Sequence, residues 1–286
     1  MTATPDDILN SPRTGRAVIM GVLNVTPDSF SDGNQFLDPQ EAAAQARRLA
    51  DEGADIIDVG AESTRPGSDR VRAREQIARL RDVLPAAAAT GVLVSIDTTR
   101  ADVAEFALEA GAQMINDVSA GRDDASLLPL AAERRVPVVL MHMLGEPKTM
   151  QADPQYEDVV GEVRAFLAER LEAAEAAGVP RQRCIVDPGI GFGKRLEHNL
   201  ALIAGIGELV ELGRPVLIGP SRKRFIGELT GEQIAANRGA GTLAACLAAF
   251  RRGATIFRVH DVAPLRQALT VAAAVEESQR GGESRR

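Results

Sequence analysis

Cysteine and histidine are scarce in this sequence, and their scarcity argues against two kinds of site. The two cysteines, Cys184 and Cys246, lie in the apolar runs RCIVD and AACLAA. This context is typical of reduced, buried thiols rather than of a disulfide. The three histidines, His142, His198 and His260, do not form HExxH or another zinc-binding spacing. We therefore expect neither a disulfide nor a zinc site built by the protein.

Long apolar runs and an excess of positive charge are also missing. No stretch of 18 apolar residues occurs, so the sequence predicts no membrane span. The first residues do not combine a basic start with an apolar stretch, so we expect no signal peptide. The formal net charge of −7 and the pI near 5.2 argue against binding to nucleic acid, which requires a clustered basic face. These features together predict a cytoplasmic protein.

Short apolar segments alternate with helical patterns along the whole chain. Each apolar segment is nearly continuous, which is typical of parallel strands that are covered on both faces. Several helical patterns end at a glycine, as expected for a helix that stops before the next strand. The predicted strands are 17–24, 54–60, 92–98, 112–118, 136–142, 183–189, 214–219 and 254–260.

Eight strand–helix pairs can close into a barrel or form an open doubly wound sheet. The number of pairs and the absence of a dinucleotide-binding fingerprint favour a single-domain α/β fold, the (β/α)8 TIM barrel. No low-complexity linker interrupts the pattern. We therefore predict a barrel domain over residues 16–276, with flexible tails at 1–15 and 277–286.

Polar residues stand at or just after the end of every predicted strand. Burying such groups without partners costs several kcal/mol, and the C-terminal strand ends of a barrel converge on one face, where sites are built. A single residue could instead cap the next helix, as Asp97 or Asn116 could, but this alternative is improbable for all eight strands. The residues are Asn24, Arg65, Asp97, Asn116, His142, Asp187, Ser221, Arg222, Lys223, Arg258 and His260.

This set combines hydrogen-bond acceptors with cations. Asp97 and Asp187 suit a flat heterocycle with several N–H donors, because a carboxylate can accept two parallel hydrogen bonds. Lys223 follows the seventh strand and Arg258 lies in the eighth, and both are near the loops where many barrels bind phosphate. These cations suit a phosphorylated group, and a ligand that joins a polar ring to a diphosphate would satisfy both halves of the set.

Several local patterns admit more than one interpretation. The segment DPGIGFGK (187–194) departs from a phosphate-binding P-loop, and a glycine-rich turn is the better interpretation. His198 begins a predicted helix and is expected to be structural, whereas His142 could pack in the core or contact a ligand. No histidine or aspartate partner is evident for Ser221, so a nucleophilic serine is the weaker hypothesis.

Eight motifs, collinear over about residues 17–275, resemble those of the dihydropteroate synthases. They are GVLNVTPDSFSDG (21–33), GADIIDVGAESTRPGS (53–68), VSIDT (94–98), NDVSAG (116–121), VVLMHMLGEPKTMQ (138–151), DPGIGFGKRLEHN (187–199), GPSRKRFIG (219–227) and FRVHDV (257–262). The resemblance implies a (β/α)8 barrel that uses Mg²⁺ and forms a homodimer. It also implies the condensation of 6-hydroxymethyl-7,8-dihydropterin diphosphate with p-aminobenzoate, which yields 7,8-dihydropteroate for folate synthesis.

The resemblance also implies a role for each matching residue. The catalytic group would comprise Asp97, Asp187, Lys223 and Arg258, and Asn24 would contact the metal. The diphosphate would lie near Arg65, Arg258 and His260. The p-aminobenzoate site would be formed by Phe30, Thr64, Pro66, Ser221 and Lys223. The pterin site would be formed by Asp97, Asn116, Met141, Asp187, Phe192, Gly219, Lys223 and Arg258, with Arg258 stacked over the ring.

Few positions depart from the family pattern. Ala61 replaces a frequent glycine and could restrict the loop that presents Glu62 to Arg65, because alanine does not reach positive φ freely. Asn34 and Arg224 also differ from the commoner residues. Matches at Phe30, Thr64 and Pro66 predict inhibition by sulfonamides.

Two other functions compete with the synthase. The first is a pterin-binding methyltransferase that works with a corrinoid protein, a class that lacks the combined TPDSFSDG, STRPG and SRK segments present here. The second is a paralogue that binds pterin without catalysis. Diphosphate release that depends on both substrates would exclude the second.

Overall fold

The computed structural model describes residues 3–25, 39–63, 68–146 and 148–283. These residues form eight parallel strands: β1 (Val18–Asn24), β2 (Ile56–Gly60), β3 (Leu93–Asp97), β4 (Met114–Asp117), β5 (Val138–Met141), β6 (Cys184–Asp187), β7 (Leu217–Ile218) and β8 (Ile256–Val259).

Two short helices precede β1, and the other helices follow the strands and cover the outside of the sheet. They are α1 (Pro5–Leu9), α2 (Ser11–Thr14), α3 (Pro39–Asp51), α4 (Ala73–Leu80), α5 (Val83–Ala88), α6 (Ala101–Glu109), α7 (Leu127–Arg134), α8 (Val159–Ala176), α9 (Leu196–Ala204), α10 (Ile206–Val210), α11 (Arg224–Thr230), α12 (Gly239–Phe250) and α13 (Val262–Glu283). None of the helices in the described ranges is both long and apolar enough to cross a bilayer.

The strands close into the barrel that the sequence predicts. They pair in parallel in the order β6-β5-β4-β3-β2-β1-β8-β7. The ring is completed between β6 and β7, where Val186 bridges Val216 and its amide donates to the Pro215 carbonyl at 3.0 Å. The preference for a barrel over an open sheet is therefore confirmed.

Alternation along each strand divides the core into two parts. One set of side chains faces the surrounding helices, as Ile57 and Val59 of β2 do. The other set fills the barrel interior, because successive side chains of a strand point to opposite faces. The interior set consists of Val18, Met20, Ile56, Leu93, Met114, Val139, Ile185, Leu217 and Ile256.

The N-terminal segment differs from the predicted flexible tail. It forms α1 and α2, and Ile8 of α1 is fully buried against the interior set. The Thr4 hydroxyl and the Asp7 carboxylate form a reciprocal capping box that begins α1. No periodic signal marks these helices in the sequence because only two adjacent apolar residues, Ile8 and Leu9, stand in a short polar stretch, and both pack against the interior set.

The C-terminal boundary differs as well. The last helix, α13, continues to Glu283 and so extends into the segment 277–286 that was predicted as a tail. By contrast, the cysteine prediction is confirmed, since Cys184 and Cys246 are both free and buried.

Candidate active site

Five of the predicted strand-end residues point inward at the C-terminal mouth of the barrel: Asn24, Asp97, Asn116, Asp187 and Arg258. Each stands two or four positions beyond an interior residue of its own strand, so it points to the same inner face. Asp97 follows Leu93 in this way, and Asp187 follows Ile185. The full inward set is Asn24, Gly60, Asp97, Asn116, Met141, Asp187, Gly219 and Arg258. Six of the eight residues of the predicted pterin site, all but Phe192 and Lys223, therefore share one face of the sheet.

Arg258 joins three strands through charged hydrogen bonds. Its Nη2 donates to Asp97 Oδ2 at 2.7 Å, and its Nε donates to Asp58 Oδ2 at 2.7 Å. Asn116 Nδ2 also donates to Asp58 Oδ2, at 3.0 Å. Asp58 is a residue that sequence reasoning missed. Its only signal was a charged residue in the middle of an apolar strand, ADIIDVG.

Asp97 lies in an environment that disfavours its charge. Burial raises the pKa of Asp97 to about 7, against the opposing effect of the Arg258 cation. The negative charges of Asp58, Asp117 and Glu62 raise this pKa further. A ligand that donates hydrogen bonds to the Asp97 carboxylate would supply the stabilisation that this site lacks.

Asp187 occupies the opposite side of the mouth, beside two buried lysines. Burial raises the pKa of Asp187 to about 6, while a hydrogen bond of 2.7 Å from the Gly189 amide and the cations of Lys223 and Lys194 lower it. Burial and the nearby Arg258 lower the pKa of Lys223 to about 8. The mouth therefore holds acceptors and cations whose charges depend on one another.

An apolar wall completes this side of the site. Phe192 and Met141 pack with Val118, Met143 and Met150, which sequence reasoning did not assign. The Lys223 ammonium lies 3.9 Å from the centroid of the Phe192 ring, a cation–π contact. A flat ring could therefore contact apolar side chains on its face and polar groups at its edge.

The loop between β6 and α9 is a tight glycine turn, as the sequence predicted. Gly189 has a φ of +66°, and a Cβ there would stand 1.9 Å from the His142 carbonyl oxygen. Gly191 has a φ of +82°, and a Cβ there would stand 2.9 Å from Lys223 Cδ. Only glycine has no Cβ to meet these neighbours. The turn thus lets the His142 carbonyl and the Lys223 side chain pack closely against the backbone of the loop.

Lys194 fastens this loop to the end of β5. Its Nζ lies 2.9 Å from His142 Nδ1 and donates to the Phe192 carbonyl at 2.9 Å. Burial lowers the pKa of Lys194 to about 7. His142 therefore packs inside the protein rather than at the open mouth. His198 accepts from the Arg195 amide at 3.1 Å, which confirms its predicted structural role at the start of α9.

Ser221 does have a histidine partner, contrary to the sequence interpretation. Its Oγ lies 2.9 Å from His260 Nδ1 and accepts from the His260 backbone amide at 3.2 Å. The partner was not evident because β7 and β8 meet only in the folded sheet. Asp261 does not complete a catalytic triad, because its carboxylate accepts from Arg222 Nη2 at 2.6 Å.

His260 is a poor candidate for a general base. Burial and the nearby cations of Arg222 and Arg258 lower the pKa of His260 to about 3. A base that weak takes up almost no proton at neutral pH, so the pair does not activate a serine nucleophile. His260 is neutral there and can offer one ring N–H as a donor.

Asn24 on β1 and Asp97 on β3 are the register neighbours of Gly60 on β2. A Cβ on Gly60 would lie 3.6 Å from Asn24 Oδ1 and 3.5 Å from Asp97 Oδ2, so the two oxygens border the same space. Within the described ranges, no cluster of three or more histidine, cysteine, aspartate or glutamate side chains could hold a metal. A single amide oxygen fits Mg²⁺ that is held mainly by substrate phosphates and water.

The segment after β2 begins with an ordered stem. Glu62 accepts from the Val71 amide at 2.8 Å and from Gln76 Nε2 at 3.1 Å. Ala61 is buried and is not among the described non-glycine residues with positive φ. Ala61 itself therefore needs no positive φ, whereas the predicted contact between Glu62 and Arg65 involves a residue outside the described ranges. Beside the stem, a cavity of about 230 Å³ reaches Asp97.

Four predicted site residues lie outside the described ranges. They are Phe30, Thr64, Arg65 and Pro66.

Comparison with known proteins identifies the family. A family model described as pterin binding enzyme matches residues 20–260. Dihydropteroate synthase from Neisseria meningitidis serogroup C is 50% identical over 254 residues, which cover 88% of this chain and 90% of that protein. Among solved structures, dihydropteroate synthase from Xanthomonas albilineans with 4-aminobenzoic acid has a TM-score of 0.86 and 50% identity, with 91% of this chain and 93% of that chain covered.

Two further structures carry ligands of interest. The Xanthomonas albilineans enzyme in complex with 7,8-dihydropteroate has a TM-score of 0.82 and 46% identity, with 91% and 94% of the two chains covered. The Yersinia pestis enzyme with a sulfonamide drug complex has a TM-score of 0.86 and 39% identity, with 92% and 95% covered. The chain belongs to the dihydropteroate synthase family of pterin-binding enzymes, and the predicted function in folate synthesis is confirmed.

Proposed function

We propose that the barrel mouth joins 6-hydroxymethyl-7,8-dihydropterin diphosphate to p-aminobenzoate and releases 7,8-dihydropteroate and diphosphate. The observation that carries this assignment is the placement of two buried carboxylates, Asp97 and Asp187, with Lys223 and Arg258 around one apolar wall. This arrangement suits a flat, N–H-rich heterocycle bearing a leaving anion.

The pterin ring would be gripped at its edge and packed on its face. Asp97, Asp187 and Asn116 supply hydrogen-bond acceptors, while Met141 and Phe192 supply apolar contact. Lys223, Gly219 and Arg258 complete the predicted pterin set. Arg258 would have to keep its ion pairs with Asp58 and Asp97 while its guanidinium plane covers the ring.

The reaction begins when the C–O bond between the pterin methylene and the diphosphate breaks. The electron pair leaves with the diphosphate, and positive charge develops on the methylene and the ring. Asp97 and Asp187 would stabilise that charge because they are already in position and are shielded from water. The aniline nitrogen then attacks the methylene and loses a proton to the released diphosphate or to water, so no protein base is required.

The leaving diphosphate would be held by Arg65, Arg258 and His260. His260 would act as a neutral donor, since its pKa is lowered to about 3. If the Ser221 hydroxyl donates to His260 Nδ1, the ring proton resides on Nε2. Bound Mg²⁺, contacted by Asn24, would neutralise charge on the diphosphate.

The p-aminobenzoate would lie above the pterin. Its carboxylate and ring would contact Phe30, Thr64, Pro66, Ser221 and Lys223, the set implied by family resemblance. The complexes of the Xanthomonas albilineans enzyme with 4-aminobenzoic acid and with 7,8-dihydropteroate support this choice of substrates.

The experiment that tests the function measures diphosphate release with each substrate omitted in turn. We expect release only when the pterin diphosphate, p-aminobenzoate and Mg²⁺ are all present, with one dihydropteroate formed per diphosphate. A pterin-binding paralogue without catalysis would release none. A methyltransferase would bind pterin without depending on p-aminobenzoate.

Sulfonamides should inhibit the enzyme in competition with p-aminobenzoate. The sulfonamide complex of the Yersinia pestis relative supports this expectation. Steady-state inhibition at several p-aminobenzoate concentrations checks it: the apparent inhibition constant should rise with p-aminobenzoate, and a constant value would contradict a shared site.

We also infer a cytoplasmic homodimer. Val271 and Val275 lie one helical turn apart on α13 and are exposed by 65% and 45%, so they offer an apolar strip that a second copy could cover. Sedimentation velocity at several protein concentrations tests this state, and a single monomer boundary would contradict it.

A further inference from the structure

Asp58 is a buried carboxylate that none of the roles above uses. It lies in the middle of β2 and is 0% exposed. It stands between Ile56 and Gly60 on the inward face of the strand, so it faces the barrel interior just below the mouth. A buried carboxylate costs free energy unless it is paired, and its partners therefore indicate its purpose.

A single oxygen of Asp58 holds two residues of the pterin site. Asp58 Oδ2 accepts from Arg258 Nε at 2.7 Å and from Asn116 Nδ2 at 3.0 Å. Within the described part of the chain, Asp58 Oδ1 has no hydrogen-bond partner. Both of its protein contacts are thus made to side chains assigned to the ligand.

This contact fixes which atom Asn116 offers to a ligand. An ionised carboxylate can only accept hydrogen bonds, so Asn116 must turn its Nδ2 toward Asp58. The other atom of the amide, Oδ1, is then left as an acceptor for the mouth. Similarly, Arg258 is held through Nε by Asp58 and through Nη2 by Asp97, which fixes the plane of the guanidinium.

We propose that Asp58 is a positioning residue of the pterin site, where it makes Asn116 an acceptor for a ring N–H and fixes the Arg258 plane. The inference rests on the proposed function, because it needs a pterin in the mouth. Asp58 acts through its two neighbours and does not touch the substrate.

Asp58 also contributes to the charge balance around Asp97. The charged groups that face Asp97 are Arg258 from β8, Lys223 after β7, Asp117 from β4, Glu62 after β2 and Asp58 itself. The negative charge of Asp58 raises the pKa of Asp97. Removal of that charge would therefore lower the pKa of Asp97.

The test compares Asp58→Asn with Ser95→Ala. Asparagine keeps the shape of Asp58, but it removes the charge and no longer dictates the orientation of Asn116. Ser95 is the register neighbour of Asp58 on β3, is equally buried, and has no Oγ partner in the described ranges. It therefore serves as a matched control for disturbance of the barrel interior.

Calorimetric titration with the pterin diphosphate across pH 5.5–8.5 is the primary measurement. For Asp58→Asn we expect roughly 10- to 100-fold weaker binding near pH 8, the range for losing hydrogen bonds to a charged group. We also expect the acid limb of binding to move to lower pH, and the KM for p-aminobenzoate to stay within about 2-fold of its original value. Ser95→Ala should change neither the affinity for the pterin diphosphate nor the KM for p-aminobenzoate by more than about 2-fold.

A double-variant cycle checks that Asp58 acts through Asn116. Asp58→Asn should weaken binding less in an Asn116→Ala background than in the natural chain, because Asp58 can then act only through Arg258. Equal effects in both backgrounds, or natural affinity and an unmoved acid limb in Asp58→Asn, would overturn the proposal.

Two further outcomes are distinguishable. If the natural chain neither binds the pterin diphosphate nor turns it over, the proposed function fails, whatever Asp58 does. If Asp58→Asn does not fold, a crystal structure of the natural chain with a pterin ligand decides the question. A pterin ring N–H that faces Asn116 Oδ1 supports the proposal, and a ring acceptor in that position overturns it.

Discussion

At the scale of single residues, burial governs the chemistry of the mouth. Asp97 and Asp187 have pKa values raised to about 7 and about 6, and Lys223 has one lowered to about 8, chiefly because each is removed from water. Such groups gain most from a ligand that restores the missing interactions. The same burial makes His260 a neutral donor, which separates this site from a serine hydrolase.

The raised pKa of Asp97 has a measurable consequence for pterin binding. Only the ionised carboxylate offers acceptors on both oxygens, so protonation competes with a ligand that donates N–H bonds. Because the pKa of Asp97 is about 7, affinity for the pterin diphosphate should fall as pH falls through 7, and binding near pH 7 should release protons. Calorimetry in buffers of different ionisation enthalpy measures this release.

Asp97→Asn provides the control for that measurement. This variant should bind the pterin diphosphate more weakly. The proton release that persists should come from Asp187, whose pKa is about 6. Unchanged proton release in Asp97→Asn would show that another group is responsible.

Residues that end strands could be predicted from the sequence, whereas their partners could not. Asp97, Asn116 and Asp187 follow apolar runs, so their location at the mouth follows from chain direction alone. The links from Asp58 to Arg258 and from Ser221 to His260 join residues 200 and 39 positions apart. Such pairings depend on the register of the closed barrel, which no local pattern encodes.

At the scale of elements, the loop between β6 and α9 is the most constrained part of the described site. Three of its glycines have positive φ: Gly189, Gly191 and Gly193. The sequence signal was clear, because glycines spaced this closely indicate a turn. The role of Lys194 was not predictable, since its contacts with His142 and the Phe192 carbonyl require β5 to lie beside the loop.

Gly191→Ala should damage this loop. Alanine at this position would have to adopt a positive φ, and its methyl group would stand 2.9 Å from Lys223 Cδ, so Lys223 would be displaced. We expect a loss of about 1–2 kcal/mol in the free energy of unfolding from backbone strain and a raised KM for the pterin diphosphate. Chemical denaturation and steady-state kinetics measure the two effects.

Gly207→Ala is the matched control. Gly207 lies in α10, has no heavy atom near the position of a new Cβ, and does not have a positive φ. The same substitution should stabilise the protein by roughly 0.5–1 kcal/mol and leave the KM unchanged. Equal effects at the two glycines would contradict the account of the loop.

The N-terminal helix is a second element with a defined role. Ile8 is fully buried against the interior of the barrel, so α1 closes the end opposite the active site. Ile8→Ala should lower the free energy of unfolding by about 2–4 kcal/mol through the cavity it leaves. The same substitution at Ile234, which is 61% exposed, should change it by less than about 0.5 kcal/mol.

Comparable losses at Ile8 and Ile234 would show that α1 is not anchored as described. Denaturant titration of both variants under one buffer condition makes the comparison.

At the scale of the whole molecule, a regular rhythm of strands and helices made the fold predictable. A barrel of parallel strands requires apolar strands covered on both faces, and the described part of this chain has eight of them. Closure converts polar residues that are far apart in sequence into one constellation around a single mouth. Family membership then gives that constellation its substrates.

We propose that the inward carboxylates of the mouth, Asp97 and Asp187, stabilise charge on the pterin as the diphosphate leaves. The most direct test is the kcat of Asp187→Asn at saturating concentrations of both substrates. Asparagine keeps the size of the side chain and its capacity to accept from the Gly189 amide, so the loop should remain in place. We expect a kcat roughly 100- to 1,000-fold lower with an unchanged fold, and a kcat equal to that of the natural chain would contradict the role of Asp187.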